Sequence, residues 1–310
     1  MTVAKIIVTK KAQTGSAKPA ATVKRPLVGQ PKIAPIAKLS QYIDEIKQFN
    51  ASTNKTHLYR GHSKNSYKIL PSLFRDKNHR RDEKSIRREL IALHPGEFLE
   101  DRSVFDQLVR MQHFSLPTRL MDVSYNPLVG LYFCCKSSKN EDGHVVRFSI
   151  DKRLIKYYDS DAISCVANLS NLSGSERNEL RAANSTNLIV NCTAGRRLLQ
   201  FIRGEKPHFL PEIEPEDLFR THVVKPKQNN KRIIAQQGAF LAFGLETGLL
   251  DNNESDIQIT RIAIPAASKK SLLDELDVIN INESSLFPEI ESSAKYIMRK
   301  ITPLSDNFED

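Results

Sequence analysis

Leu39, Tyr42, Ile43, Ile46 and Phe49 recur at helical spacing around Ser40, which predicts an amphipathic helix with Ser40 as its N-cap. Thr56 to Arg60 is a short strand that stops at Gly61. Ile86, Leu90 and Leu93 mark one face of a helix closed by Pro95. Ser103-Val104-Phe105-Asp106 resembles a capping box, and the helix it opens runs through Leu108 and Met111 to about His113. Asn126-Pro127 starts another helix, with Asn at the cap and Pro where its missing N–H costs nothing. Val145 to Ile150 is a strand after the Asp142-Gly143 turn. Residues 151–225 read as mixed and largely helical, with polar loops near 170–177 and 207–215. Gly238 to Phe243 and Ile257 to Ile264 read as strands, and Lys269 to Leu276 as a helix.

The pattern therefore predicts one α+β domain over residues 39–303, with a small central antiparallel or mixed sheet flanked by helices. A disordered basic tail, 1–38, precedes it, and a short disordered tail, 304–310, follows it. The first segment holds eight Lys and Arg and no acid, with no periodic apolar face to bury. The other 38 basic residues face 36 acidic ones, so the net charge of +10 belongs mainly to the tail. Such an arm either touches nucleic acid, acidic protein or a membrane surface, or serves as a solubilising leader or tether. The body shows no basic excess.

Several classes are excluded. No apolar run reaches the roughly 20 residues of a membrane helix, so no membrane role is expected. The start lacks a signal-peptide core, because Ile6-Ile7-Val8 runs at once towards Lys10-Lys11. Cys134, Cys135, Cys165 and Cys192 have no metal or disulfide spacing and read as reduced thiols, giving a cytoplasmic expectation. No metal site is expected from the eight scattered histidines. Serine-hydrolase, P-loop and Rossmann glycine signatures are absent.

Polar chemistry concentrates in Gln112-His113-Phe114-Ser115-Leu116-Pro117-Thr118-Arg119-Leu120-Met121-Asp122-Val123-Ser124-Tyr125-Asn126-Pro127, just before the apolar run from Leu128 to Phe133. Polar groups carried to a core must be satisfied by a network or by a ligand. Each candidate has two readings. Arg60 either grips a ligand or pairs with Asp122. Arg119 either contributes to that grip or ties down the Pro117 loop through backbone carbonyls or Asp122. His113 is either an acid–base group or the end of a helix, and Gln112 is a further candidate beside it. Ser124 either holds a sugar or amide or makes a turn with Asn126. Gln236 and Gln237 are strand-end hydrogen bonders or site residues. Tyr59 either stacks on a base or packs in the core, and strand alternation sets it on the face opposite Arg60.

Tyr59-Arg60-Gly61, the run Leu70-Pro71-Ser72-Leu73-Phe74-Arg75, Gln112-His113 to Asp122 and Asn126-Pro127 together resemble the FRG domain family. Its Phe-Arg-Gly tripeptide is Tyr-Arg-Gly here. The likeness continues in Arg232-Ile233-Ile234-Ala235-Gln236-Gln237-Gly238-Ala239-Phe240 and in Ser285 to Ile290, across roughly residues 40–300.

A weaker resemblance is to the ADP-ribosyltransferases, with their strand-borne Arg, a Ser element entering a helix, and a later catalytic Glu. It implies Arg60, Ser124 and Gln237 as the catalytic set. Arg60, Arg119, Asp122, Ser124 and Asn126 would hold NAD, as a substrate and not a tightly bound cofactor. The activity implied is ADP-ribosyl transfer or NAD cleavage, in bacterial conflict or antiphage defence. The family's Glu is replaced by Gln236 or Gln237, which cannot supply negative charge. Glu246 follows too far along the segment. The other class open at this point is a non-enzymatic module that binds protein or nucleic acid with help from the basic tail.

Overall fold

Gly143–Asp151 is buried along nearly its whole length, as only an interior strand covered on both faces can be. It lies one strand in from an edge of the sheet in a computed structural model that describes residues 35–49, 54–183, 185–246 and 256–301. Among the described residues seven strands form one sheet. They are β1 (Lys55–His62), β2 (Leu120–Ser124), β3 (Gly143–Asp151), β4 (Lys156–Tyr157), β5 (Thr221–Lys225), β6 (Gly238–Phe243) and β7 (Ile257–Ile264). Their spatial order is β4-β5-β6-β2-β1-β3-β7. β4 and β5 run parallel, and every other neighbouring pair is antiparallel, so the sheet is mixed as expected.

The helices among the described residues begin with α1 (Leu39–Phe49), α2 (Ser72–Arg75), α3 (Lys77–Leu93), α4 (Val104–His113) and α5 (Pro127–Lys136). A helical lobe follows: α6 (Asp161–Asn168), α7 (Gly174–Ala182), α8 (Thr186–Asn191), α9 (Thr193–Glu205) and α10 (Pro215–Phe219). α11 (Lys231–Ala235), α12 (Lys269–Val278), α13 (Glu283–Leu286) and α14 (Ile290–Ile301) complete the set. None is long and apolar enough to cross a membrane.

One sheet face is covered in two patches. Tyr59, Val145 and Ile262 pack with Leu131, Tyr132, Leu272 and Leu276 of α5 and α12, while Leu120 and Phe240 pack with Phe105, Leu108 and Ile163 of α4 and α6. Leu58, Val123, Phe148 and Leu241 line the opposite face, closed by Ile69 and Phe74. The lobe has a core of its own, including Leu169, Leu180, Leu198 and Leu218.

The structure differs from the sequence reading at several elements. Leu120–Ser124, to which the sequence pattern assigns no element, is an interior strand, and β6 pairs with all of it. Thr221–Lys225 is a strand inside the stretch read as largely helical, and most of the expected loop at 170–177 is helical. Ser103 caps α4 by accepting from Asp106 N at 3.2 Å, while the Asp106 carboxylate accepts from Lys227 Nζ and Glu205 accepts from Val104 N. At α1 the capping falls to Gln41, whose Oε1 accepts from Ala37 N and Lys38 N, and to Glu275, which accepts from Leu39 N. The packed body also begins before residue 39, since Ile36 is buried and its N–H donates to Ala263 O at the edge of β7. The rest of the basic segment, 1–34, and the C-terminal residues 302–310 lie outside the described residues.

Candidate functional site

β1 pairs with β3 along its length, from Lys55↔Asp151 to His62↔His144, but meets β2 at one bridge, Tyr59↔Ser124. Beyond that bridge the two strands part, and a cavity of about 210 Å³ lies there. Its wall includes Tyr59, Arg60 and His62 from β1, Asp122 and Ser124 from β2, Gly130 and Phe133 from α5, and Arg75, Arg232 and Gln236. Because the sheet opens at this point, residues from both faces reach one space. Tyr59 and Arg60 both belong to the cavity wall, while Tyr59 is buried and packs in the core with Leu131 and Val145, one of its two predicted readings.

α5 sets the back wall. A Cβ built on Gly61 would stand 2.2 Å from Gly130 O and 2.3 Å from Cys134 N, so backbone touches backbone where α5 crosses β1. Asn126 Oδ1 accepts from Leu128 N at 2.9 Å, Pro127 opens the helix, and Tyr42 Oη donates to Pro127 O. Arg60 bridges the parted strands by donating from Nη1 to Asp122 O at 2.5 Å. Its buried Nε has no partner among the described residues. Burial lowers the Arg60 pKa, and Asp122 opposes that shift.

Arg75 and Arg232 bring two further guanidinium groups to the cavity. Arg75 donates from Nε and Nη2 to Leu70 O, and Arg232 lies 4.8 Å over the Phe287 ring. Among the described residues none of Arg60, Arg75 and Arg232 forms an ion pair. The cavity wall holds one carboxylate, Asp122, so positive charge dominates it.

The polar density of the 112–127 stretch has a largely internal explanation. Gln112 Nε2 donates to Asp122 Oδ2 at 2.5 Å and its Oε1 accepts from Thr118 Oγ1 at 3.0 Å. Ser124 Oγ donates to Gln236 O at 2.6 Å and accepts from Asn126 N at 2.9 Å. Ser124 thus makes the expected turn with Asn126, and Asn126 is engaged in capping α5. His113 lies in a smaller hollow beside the main cavity, shared with Gln112, Asp122, Arg232 and Gln236. Its Nε2 stands 3.8 Å from Glu289 Oε1, and its pKa is lowered by burial and by Arg232.

Two candidates lie elsewhere. Arg119 is 1% exposed and closes a buried network: Nε and Nη2 donate to Glu83 at 2.8 and 2.6 Å, and Nη1 donates to Phe243 O. Arg177 stands 3.4 Å from the same carboxylate. A guanidinium so enclosed ties α3 to the sheet and is no ligand grip; its partner is Glu83, not Asp122 or the Pro117 loop. Gln237 faces a separate hollow with Tyr125, Lys152 and Tyr157. Its backbone takes φ 46°, and its carbonyl accepts from Tyr125 N, so its role here is to shape the turn before β6. Gln236 is the one that lines the main cavity, with Nε2 donating to Leu286 O.

Sequence reasoning passed over His62, Arg75 and Arg232. Arg75 and Arg232 stood in the runs that carried the resemblance, and His62 directly follows the Tyr-Arg-Gly tripeptide. Residues 55–143 match the family model of the FRG domain, so this stretch of the chain is an FRG domain. The match takes in β1, β2 and α5, the frame of the cavity, whereas Arg232 and Gln236 come to it from outside the matched stretch. No curated protein and no solved structure matches the chain.

Proposed function

We propose that the cleft between β1 and β2 binds the phosphate-bearing ribose half of an NAD-type nucleotide. The observation that carries this reading is the set of three guanidinium groups, Arg60, Arg75 and Arg232, around one cavity with no ion pair among the described residues. Guanidinium forks suit phosphate oxygens in charge and geometry. At about 210 Å³ the space is smaller than the roughly 300–1,000 Å³ of pockets that enclose whole ligands. It suits one half of a dinucleotide, with the remainder outside the cleft.

The reaction we assign is NAD cleavage or ADP-ribosyl transfer. The bond between nicotinamide and ribose C1′ breaks, nicotinamide leaves with the bonding pair, and water or an acceptor side chain forms the new bond to C1′. Asp122 is the carboxylate available to stabilise the oxocarbenium-like state, a role that Gln237, neutral and lining a separate hollow, does not share.

The test is calorimetric titration of the full chain with ADP-ribose and NAD, together with nicotinamide release measured by mass spectrometry. Arg60→Ala and Arg232→Ala are each expected to weaken binding about tenfold or more, and Asp122→Asn to keep binding while losing release. Absence of binding and of thermal shift in the wild type would sink the nucleotide reading. Binding without release would leave a nucleotide-binding module and remove the reaction.

A further inference from the structure

His62 closes β1 at one side of the arginine-lined cavity and is 2% exposed. Its Nδ1 lies 3.2 Å from His144 Nε2, and His144 Nδ1 lies 3.2 Å from Asn65 Oδ1. The remaining ring nitrogen, His62 Nε2, is buried and has no partner among the described residues. An unpartnered polar atom in so enclosed a place is costly unless something meets it.

The three side chains form a directional chain. Asn65 Oδ1 is an acceptor, so His144 carries its proton on Nδ1 and presents a lone pair at Nε2. That lone pair accepts from His62 Nδ1–H, which leaves His62 Nε2 bare. Both rings are neutral near pH 7: burial lowers His62 to about 3 and His144 to about 4, helped at His62 by Arg60, His144, Arg75 and Arg261, and at His144 by Arg261. Turning the Asn65 amide over would reverse every bond and place a proton on His62 Nε2.

The neighbouring groups make a bare nitrogen informative. Arg60, Arg75 and Arg232 can only donate, Ser124 spends its hydroxyl on Gln236 O and Asn126 N, and Gln112 already occupies one Asp122 oxygen. Resting on the nucleotide reading above, we infer that His62 Nε2 accepts a hydrogen bond from a ribose hydroxyl of the ligand. It thereby selects ribonucleotides while the arginines hold phosphate. His62 is a specificity residue and takes no proton in the reaction.

Two measurements on the full chain test this separately. Long-range ¹⁵N–¹H correlation on histidine-labelled protein, assigned with His62→Gln, should show a protonated Nδ1 and a bare Nε2 at His62. A protonated Nε2 overturns the acceptor role even if ADP-ribose binds. In titrations, wild type should favour ADP-ribose over its deoxyribose analogues by about fivefold to tenfold. His62→Phe should bind both alike, and His62→Gln, which retains an acceptor, should keep part of the preference. Equal wild-type affinity for ribose and deoxyribose ligands overturns the assignment. Failure of ADP-ribose to bind at all removes the nucleotide reading and the ribose donor together, whatever the spectrum shows.

Discussion

Replacing Gly61 by Ala is the sharpest single perturbation the fold offers. The added Cβ would lie 2.2 Å from Gly130 O and 2.3 Å from Cys134 N, where ordinary contact begins at 3.4 Å. Both obstacles are backbone atoms of α5, so no rotamer change relieves them, and the helix must retreat by about 1 Å. Overpacking of this kind costs about 1–3 kcal/mol, which in a domain of this size lowers Tm by about 2–12 °C. The retreat also shifts Gly130 and Phe133, which line the cavity, so ADP-ribose affinity should fall in the same variant. The assay is a thermal melt and urea titration of the full chain beside Gly96→Ala, whose new Cβ meets nothing within 4 Å and should change stability by less than about 0.5 kcal/mol. A Gly61→Ala protein that melts with the wild type would refute the account of how α5 is seated on β1.

Two further outcomes separate scaffold from site. Arg119→Met should destabilise the protein by about 3–5 kcal/mol in urea titrations, because Glu83 keeps a buried charge with a weaker share of partners, and Glu83→Gln in the same chain should restore part of that loss. Stability should also fall as pH drops from 7 towards 5: the unfolded chain takes protons near pH 6.5 while native His62 and His144 stay neutral down to about 3 and 4. Each histidine contributes up to about 1.4 kcal/mol per pH unit in that window, so His144→Gln should flatten the profile; parallel profiles for the two proteins would refute the claim.

How much was legible in the sequence varies with the cause. α5 and its cap could be read from Asn126-Pro127 because the signal is local, and β6 and β7 from alternation or apolar runs bounded by polar residues. β2 was hidden because Leu120–Ser124 is short and its burial comes from β6, more than a hundred residues away. Arg119 and Arg60 look alike in sequence, two arginines beside apolar neighbours, yet one meets Glu83 in the core and the other spans a gap. The difference lies in partners that only the fold supplies. The same holds for Gln236 and Gln237, where one left-handed backbone turn sends adjacent side chains to opposite hollows.

The lone rung between Tyr59 and Ser124 divides the sheet into two half-sheets, β4-β5-β6-β2 and β1-β3-β7. Each presents a raw margin at what should be the best-protected line of the domain. An occupant that touches both margins would act as a clasp across a seam. Its affinity and the cohesion of the two halves would then be one quantity seen from two sides, with saturation at a hundred times Kd adding about 2.7 kcal/mol to the folded state. Chemistry and architecture would meet at the same missing rungs, and the sheet would be complete only when the cleft is filled.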